Sequence, residues 1–379
     1  MSRRYGVAVL GLGGMGSATA YHLARRGVSV LGLDANPRGH ALGSSHGHSR
    51  TTRTAYREGA AYVPLVRRAT ALWRDLEDAS SRRLLTMTGL LMVGRPGHPG
   101  ISGLVHSARA HHLAYEELTG EQAMDRFSGL HVEGDSVAAY DPNAGLLAPE
   151  ACIAAHLDLA TKCGANLRHE EAVLRWERRG STVEIVTAKG VYECDRLSIT
   201  AGPWSGAVLR DLHLPLTVDR VCIAHFASAQ PALFTAARSP VYVFAHEDGN
   251  RYVAPPLGDE GIKVGWHHGR DRCAPDTIRR VVSDEEVQEL KAVLDQYLPA
   301  ASGPLKQAVT CMYTMTPDTH FVIDCWPGEE GVFYAAGFSG HGFKFASVIG
   351  EILADLATRG RTAHDIGFLS STRFRSASS

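Results

Sequence analysis

Residues 5–34 read YGVAVLGLGGMGSATAYHLARRGVSVLGLD, and the rest of the chain is interpreted from this stretch. Its first six residues form an apolar run of a length typical of a buried strand. The run ends in GLGGMG at 11–16, a helix can follow up to Gly27, and a second apolar run ends at Asp34. The predicted order is therefore strand, glycine-rich turn, helix and strand.

The glycines match the spacing G-x-G-x-x-G, in which each glycine has its own physical reason. Gly11 permits a tight turn, Gly13 lets the backbone approach a pyrophosphate, and Gly16 lets the helix pack closely on the strand. A carboxylate at Asp34 can accept hydrogen bonds from a ribose hydroxyl, and it disfavours the 2′-phosphate of NADP. The stretch predicts binding of an ADP-containing dinucleotide, and it leaves NAD and FAD open.

The whole chain has the composition of an ordinary globular protein. Its 379 residues are 44% hydrophobic and 21% charged, enough for two domains with full cores. With a formal net charge of −1, no global field attracts nucleic acid or a membrane surface. No apolar stretch reaches the roughly 18 residues that a membrane-spanning helix needs. We therefore expect neither nucleic acid nor a membrane as a partner.

The cysteines favour a reducing compartment. There are seven, an odd number, without CxxC pairs or dense spacing. This pattern argues against a disulfide framework and against a zinc cluster. We expect a cytoplasmic protein.

A polar segment at 38–56, rich in glycine, serine and histidine, follows the opening unit. Polar loops in this position usually carry function. Its histidines His40, His46 and His48 raise the alternative of a metal site. No acid or cysteine stands close by in the sequence to complete a set of ligands, and nearby arginines would repel a cation. We therefore predict no metal.

Local patterns predict further elements. Helices are expected at 64–78, at 149–164, after a capping box formed by Ser283 and Glu286, and at 343–359. Strands are expected at 90–93, 182–186, 196–202 and 332–336. The final segment repeats the style of the opening. One domain therefore draws on both ends and the middle of the chain, with a β-rich domain inserted between the pieces.

Several blocks occur in the order seen in one known family. They are the glycine fingerprint at 11–16, GSSHGHSRTTR at 43–53, YVPL at 62–65, CMYT at 311–314 and GFSGHGFKF at 337–345. In these blocks the chain resembles, over essentially its whole length, the monomeric sarcosine oxidase and N-methyltryptophan oxidase family of FAD-dependent amine oxidases. The resemblance implies an α/β fold with a Rossmann-like FAD-binding domain (1–86, 148–217 and 319–379) and a β-sheet-rich substrate domain (87–147 and 218–318).

Residues 262–267, IKVGWH, illustrate what the resemblance adds. Strand alternation places Lys263 and His267 on the face opposite Ile262, Val264 and Trp266. For an anonymous strand, the plainer interpretation is that the Lys263 face is solvated. The resemblance implies instead that Lys263 lies over the flavin, where a fixed positive charge promotes the reduction of O₂, and that His267 lies beside the substrate.

The resemblance also implies a substrate pocket. Arg53 and Lys344 are expected to clamp the substrate carboxylate, because a zwitterionic amino acid in an apolar pocket needs that group paired. The side chains expected to shape the pocket around the amine are Tyr56, Tyr252 and Tyr313.

Further positions are implied to hold FAD. The match at Cys311 implies a thioether to the flavin 8α-methyl carbon. Backbone N–H groups at Gly340 to Gly342 would stabilise negative charge on the reduced flavin ring. Besides Gly11, Gly13, Gly16 and Asp34, the cofactor contacts implied are Ser44, His46, Arg50, Val173, Gly340, Gly342 and Lys344.

Some positions depart from the family pattern. Ser45 and His48 stand where relatives commonly have histidine and aspartate, and Val243 aligns near a pocket position that is methionine in sarcosine oxidase. These departures leave the flavin chemistry intact and leave the identity of the substrate open.

We expect an oxidase that acts, as a monomer, on a small amino acid and O₂. Oxidation of an N-methyl amino acid such as sarcosine would give the demethylated amino acid, formaldehyde and hydrogen peroxide. A cyclic amino acid such as pipecolate or proline is the alternative substrate. Other classes left open are a flavin dehydrogenase with a protein electron acceptor, a nicotinamide dehydrogenase and a catalytically silent FAD-binding scaffold.

Overall fold

The computed structural model describes residues 4–267, 269 and 271–377, so the predicted domain limits at residues 1 and 379 lie outside the described residues. The helices are α1 (Gly14–Ala24), α2 (Val63–Ser80), α3 (Pro99–Ala110), α4 (Gly120–Arg126), α5 (Pro149–Lys162), α6 (Ser205–Val208), α7 (Asp284–Tyr297) and α8 (Ala346–Arg359). Within that part of the chain, no helix combines the length and the apolar content needed to cross a bilayer.

The strands fall into three sheets. In chain order they are β1 (Arg4–Leu10), β2 (Val30–Leu33), β3 (Arg50–Thr52), β4 (Leu85–Met87), β5 (Leu90–Gly94), β6 (Glu116–Thr119), β7 (Val137–Asp141), β8 (Gly145–Leu147), β9 (Asn166–Arg168), β10 (Val173–Arg179), β11 (Thr182–Thr187), β12 (Gly190–Ile199), β13 (Thr217–Phe226), β14 (Val241–Phe244), β15 (Asn250–Ala254), β16 (Ile262–His267), β17 (Asp271–Arg272), β18 (Leu305–Met315), β19 (Val322–Cys325) and β20 (Val332–Ala336).

The first sheet has a parallel centre in the order β20, β12, β1, β2 and β9. Beyond β20 runs the antiparallel β19, and the hairpin of β10 and β11 pairs with the first half of β12. Because the central strands are parallel, their carboxyl ends meet at one edge. Gly11, Asp34 and Thr200 follow β1, β2 and β12 at this edge.

The predicted strand, turn, helix and strand of residues 5–34 are confirmed. The second strand starts at Val30 rather than at 28, because Val28 still donates its backbone N–H to Leu23 at the end of α1. The predicted helix at 343–359 is also shorter than expected, since residues 343–345 form a 3₁₀ turn and the α-helix begins at Ala346.

A layer of four helices, α1, α2, α5 and α8, covers one face of the first sheet. Val7 and Val9 of β1 pack there against side chains such as Leu23 of α1, Leu72 of α2 and Ile349 of α8. The helix predicted at 64–78 is confirmed as α2, with Pro64 in its first turn and its apolar stripe buried. This layer fixes the position of α1, whose N-terminus follows the glycine turn.

The second sheet has the order β17, β13, β16, β15, β14, β5, β7 and β6, with β18 also paired to β13. One face of this sheet packs against α7, which begins at the predicted capping box of Ser283 and Glu286. The strands of the first sheet come from 4–33, 166–199 and 322–336, and those of the second from 90–141 and 217–315. The exact domain limits stay a prediction.

A pair of histidines is buried in the helical layer. His22 of α1 and His156 of α5 are each 1% exposed. The rings of Tyr21 and Trp73 pack against His156. Burial, followed by the charge of Arg25, lowers the pKa of His156 to about 3.

His156 should make the protein less stable in acid. Its folded-state pKa of about 3 lies below the ordinary value of 6.5. The unfolded chain therefore takes up the proton first, and the free energy of unfolding falls as the pH drops from 6.5 towards 3, by up to about 1.4 kcal/mol per pH unit. We expect urea unfolding of His156→Phe to show a shallower pH dependence, with His106→Phe on the exposed face of α3 as the control. Equal slopes in both variants would contradict this role.

Candidate active site

A cavity of about 530 Å³ lies between the carboxyl edge of the first sheet and the second sheet. Most of the predicted site residues line it, namely Gly11, Gly13, Asp34, Ser44, Arg50, Arg53, Val173, Tyr252, Lys263, His267, Tyr313, Gly340, Gly342 and Lys344. Four predicted residues, Gly16, His46, Tyr56 and Cys311, are not among the residues that line it. The cavity thus runs from the glycine turn to the basic residues of the predicted carboxylate clamp.

The glycine turn has the geometry that the sequence predicts. Gly11 has a φ of +84°, and a Cβ there would lie 2.4 Å from the carbonyl oxygen of Thr200. A Cβ at Gly16 would lie 1.7 Å from the carbonyl oxygen of Gly11, so Gly16 serves the packing of α1 rather than the cavity wall. A Cβ at Gly13 would meet only Ser45 Oγ, at 3.9 Å. Protein atoms therefore leave Gly13 open, as an approaching pyrophosphate requires.

Asp34 lies at the same end of the cavity. Its Oδ2 accepts a hydrogen bond of 2.8 Å from the backbone N–H of Leu12, and its Oδ1 accepts one of 2.9 Å from Asn36. Each carboxylate oxygen has further lone pairs, so these bonds orient the group and leave it able to accept from a ribose hydroxyl. Val173 lines this end as well.

Lys263 reaches the cavity from β16 and is 4% exposed. Its Nζ donates to the carbonyl oxygens of Gly47 at 3.0 Å and Ser49 at 2.6 Å. Burial, and then the charge of Arg50, holds the pKa of Lys263 well below its usual range. Since an ammonium group has three donors, one N–H remains for a cavity ligand. The interpretation of this face as solvated is therefore wrong.

Arg50 and Cys311 lie next to Lys263. The Arg50 guanidinium donates to the carbonyl oxygens of Ser49 at 2.9 Å and Ser44 at 2.8 Å, and its Nη2 lies 3.5 Å from Cys311 Sγ. Cys311 is buried among Val221, Ile223 and Tyr313, although it does not line the cavity. The Cys311 thiol therefore lies behind the Arg50 side chain, which lines the cavity.

His46 also lies behind the cavity wall. It is 6% exposed, and burial followed by the charge of Arg50 lowers its pKa to about 4. Its place in the chain is just before Gly47, whose carbonyl oxygen holds Lys263. Its Nε2 has no hydrogen-bond partner among the described residues, and its contact with FAD stays a prediction.

Arg53 is paired within the chain. Its Nη2 donates to both carboxylate oxygens of Glu58, and Arg57 Nε donates to Glu58 Oε1 at 3.0 Å. Although burial opposes ionisation, the two guanidinium groups hold the pKa of Glu58 well below its usual range. Arg53 Nε is buried without a hydrogen-bond partner among the described residues. Arg53 nevertheless lines the cavity, so other atoms of its side chain can meet a ligand there. Glu58 is a site residue that the sequence interpretation missed.

Lys344 is held by a chain of hydrogen bonds. Its Nζ donates to the carbonyl oxygen of His341 at 2.6 Å and to the hydroxyl of Tyr56 at 3.4 Å. The same hydroxyl lies 2.6 Å from His341 Nδ1, and His341 Nε2 lies 2.9 Å from the carbonyl oxygen of Thr319. A carbonyl can only accept, so Nε2 carries the hydrogen and Nδ1 accepts from Tyr56.

This arrangement corrects the prediction for Tyr56. The sequence interpretation had it shape the amine pocket, but it is 0% exposed and lies behind Arg53 and Lys344, with the Arg53 guanidinium 4.8 Å from its ring. It positions the two basic side chains. Burial, and then the charge of Arg53, holds the pKa of Lys344 well below its usual range. His341, in the last glycine-rich turn, received no role from the sequence.

Aromatic side chains and glycines form the wall between the basic groups. A Cβ at Gly265 would lie 2.3 Å from the Tyr252 hydroxyl oxygen, and one at Gly340 would lie 2.4 Å from the Tyr313 ring. The His267 ring lies 6.0 Å from that of Tyr313. The missing side chains therefore make room for two phenol rings at the cavity. Among the described residues, no three His, Cys, Asp or Glu side chains are grouped as metal ligands.

Comparison with known proteins agrees with this geometry. Residues 6–356 match the family described as FAD dependent oxidoreductase. Monomeric sarcosine oxidase of Streptomyces avermitilis is 42% identical over 100% of both chains, and N-methyl-L-tryptophan oxidase of Yersinia pestis is 31% identical over 98% of this chain and 100% of that protein. Monomeric sarcosine oxidase of a Bacillus species is 40% identical over 98% of both chains.

Solved structures show the same fold. NikD, an amino acid oxidase essential for nikkomycin biosynthesis, superposes with a TM-score of 0.86 at 25% identity, over 97% of this chain and 98% of that one. L-proline dehydrogenase from P. horikoshii also has a TM-score of 0.86, at 20% identity over 100% and 99% of the two chains, which is a likeness of fold alone. The chain belongs to the FAD-dependent oxidoreductases and, within them, to the monomeric sarcosine oxidase and N-methyl-L-tryptophan oxidase family.

Proposed function

We propose that this protein is a flavin-dependent oxidase of N-methyl α-amino acids that gives the demethylated amino acid, formaldehyde and hydrogen peroxide. The observation that carries the proposal is the pair of basic groups at one end of the cavity. Arg53 and Lys344 both line the cavity wall there. Both share the cavity with Lys263 and with the glycine turn. The names of the full-length relatives agree with this chemistry.

Membership of the family resolves the choice between NAD and FAD in favour of FAD. The residues that would hold it are the glycine turn, Asp34 and Val173 at one end and Arg50, Gly340 and Gly342 at the other. The chemistry that FAD would supply there when bound is acceptance of a hydride equivalent from the carbon next to the amine nitrogen and transfer of the two electrons to O₂. Water then hydrolyses the imine. The room beside Gly13 and the remaining lone pairs of the Asp34 carboxylate fit such a ligand.

The substrate carboxylate is proposed to bind the Arg53 guanidinium and Lys344 Nζ, since both residues line the cavity. Lys344 has three donors, of which the His341 carbonyl and the Tyr56 hydroxyl take two. The third is available to a carboxylate, whose charge would also favour the protonated lysine. Tyr252, Tyr313 and His267 then enclose the amine.

Lys263 is proposed to assist the reaction of O₂. Burial makes its ammonium form costly in the resting site, and negative charge that develops beside it lowers that cost. Its two carbonyl partners fix the nitrogen in place, so no reorganisation is needed when the charge appears. The lysine therefore offers a positive charge, or a proton, where O₂ becomes reduced.

Substrate turnover tests the proposed function. We expect purified protein to release formaldehyde and peroxide in equal amounts from sarcosine. Arg53→Lys keeps the charge that Glu58 needs and removes the forked donor, so kcat/KM should fall about tenfold or more, as expected for a lost charge-assisted hydrogen bond. Arg109→Gln, which removes an exposed charge paired with Glu117, is the control. Failure to oxidise sarcosine and other N-methyl amino acids would refute the proposal.

Lys263→Met should slow the reaction with O₂ far more than the reduction by substrate, because only the former needs the charge. A loss of about 100-fold or more is expected, as when a preorganised electrostatic partner is removed. Stopped-flow absorbance measures the two half-reactions separately, and Lys189→Met, at an exposed turn, is the control. Equal slowing of both half-reactions would rule this role out.

We further propose that FAD is linked to Cys311 through a thioether to the 8α-methyl carbon. Cys311 Sγ is buried 3.5 Å from both Arg50 Nη2 and the Ser44 carbonyl oxygen, and Arg50 and Ser44 line the cavity. Forming the bond removes the thiol hydrogen and one methyl hydrogen, and O₂ takes up the two electrons and two protons as hydrogen peroxide.

The linkage predicts whether the yellow flavin stays with the protein pellet or enters the supernatant on acid precipitation. The parent protein and Cys325→Ser, at an exposed cysteine, should keep the flavin in the pellet. Cys311→Ser should release it to the supernatant. Colour that washes out of the parent protein would show that the bond does not form.

We propose, finally, that the protein works as a monomer in the cytoplasm and has the two domains predicted from the sequence. The sarcosine oxidase relatives are named monomeric, and the seven cysteines are all free. The first sheet takes its strands from the three segments assigned to the FAD-binding domain.

A further inference from the structure

A second, smaller cavity of about 280 Å³ adjoins the proposed active site. It shares Arg57, His267 and His341 with the main cavity. Glu58, His98 and Asn250 are among the residues that line it beyond these three. A group attached to a ligand of the main cavity can therefore extend into this space, and the proposal below rests on the proposed function.

The junction of the two cavities has an excess of positive charge. Arg53 and Arg57 share a single carboxylate, Glu58, and Lys344 adds a third basic group. The side chains of Arg57 and Glu58 are each only 11% exposed, so water screens this imbalance poorly. Arg53 and Arg57 both contribute to the depressed pKa of Lys344, after burial. One α-carboxylate on the substrate would leave the imbalance only partly relieved.

Arg57 has donors to spare for a second anion. Its Nε is taken by Glu58 at 3.0 Å. Its two terminal nitrogens face the side-chain oxygen of Asn250, a neutral acceptor, once that amide is oriented to satisfy both groups. A carboxylate binds a guanidinium fork more strongly than an amide oxygen does. A ligand carboxylate that displaces the Asn250 amide oxygen from these nitrogens would therefore form the stronger hydrogen bonds.

His98 supplies a further donor. Its Nδ1 accepts a hydrogen bond of 3.1 Å from the backbone N–H of Gly100 at the start of α3. In the neutral imidazole the hydrogen then sits on Nε2, which makes that nitrogen a donor. The second cavity thus offers donors from Arg57 and His98, while its one carboxylate, Glu58, is already engaged by two arginines.

We propose that the second cavity binds the side-chain carboxylate of an acidic N-methyl amino acid, of the N-methylaspartate or N-methylglutamate class. The α-carboxylate binds Arg53 and Lys344. The side-chain carboxylate binds the terminal nitrogens of Arg57, with His98 as a second donor. Arg57 is then a specificity-determining residue. It selects for a second negative charge, whereas Arg53 and Lys344 serve every α-amino acid alike.

The test compares two substrates of nearly equal shape. N-methylaspartate and N-methylasparagine, each as both enantiomers, differ only in one charge. On the FAD-loaded protein we expect kcat/KM for N-methylaspartate to exceed that for N-methylasparagine about tenfold or more, the value of one charge-assisted hydrogen bond. In Arg57→Gln this ratio should approach one, and in the control Arg109→Gln it should keep its parent value. Because a ratio is taken within each variant, a general loss of activity cancels.

A binding measurement keeps the inference separate from the proposed function. Succinate and its monoamide, succinamate, also differ by one charge, and their Kd values follow from the change in flavin absorbance. Succinate should bind about tenfold more tightly to the parent and equally to Arg57→Gln. Oxidation of sarcosine without preference for N-methylaspartate, or a preference that persists in Arg57→Gln, would overturn the inference. Absence of any N-methyl amino acid oxidation, with the succinate preference intact, would refute only the proposed function.

Discussion

The close approach of α1 to β1 is the contact on which the rest of the site depends. A Cβ at Gly16 would lie 1.7 Å from the carbonyl oxygen of Gly11, so any other residue would push the helix off the strand. At this distance the first residues of α1, Gly14 and Met15, line the cavity directly. The parallel register of β1 with β2 and β12 then brings Asp34 and Thr200 to the same edge. The glycines thus set both the packing of α1 and the wall of the cavity.

At the other end of the cavity the governing fact is buried positive charge. Lys263 and Lys344 are each 4% exposed, and the hydrogen bonds of both go to carbonyl and hydroxyl oxygens rather than to carboxylates. Burying a charge without a counter-ion costs free energy in the resting protein. In the proposed function, that cost is recovered when a ligand brings negative charge, either a substrate carboxylate or the charge acquired by O₂. Burial of these lysines therefore favours anionic ligands at the expense of the stability of the resting protein.

Glu58 shows how the chain limits this cost. Its carboxylate engages Arg53 and Arg57 at once, which keeps both guanidinium groups paired in the absence of a ligand. At the proposed site, a substrate carboxylate would thus meet an arginine that is already paired, and its binding would redistribute the hydrogen-bond donors of that arginine. The loop that carries Arg53, Arg57 and Glu58 would consequently influence both the affinity for substrates and the choice among them. Substrates of different shape would differ most in their contacts with the cavity beyond Arg57.

The sequence by itself determined the elements whose causes are local. A tight turn, a close helix packing and a helix cap each depend on a few neighbouring residues, so the glycine turn, Asp34, the α7 capping box and several of the strands were predictable. Blocks such as GFSGHGFKF further led to the family, because several residues of one contact surface lie close together in the chain. The alternation in β16 placed Lys263 and His267 on one face of the strand, although only the family resemblance indicated that this face has a function.

Only the tertiary structure decided which distant side chains share a charge or a proton. Tyr56 and His341 are separated by 285 positions, yet the Tyr56 hydroxyl lies 2.6 Å from His341 Nδ1. The structure therefore places Tyr56 behind Lys344, whereas the sequence had predicted it in the pocket wall. Glu58 carries no motif, and its role follows from burial beside two arginines that no local pattern orients. Contacts of this kind depend on how two sheets and their loops are brought together, since hydrogen bonding and desolvation act over a few ångströms in space and not along the chain.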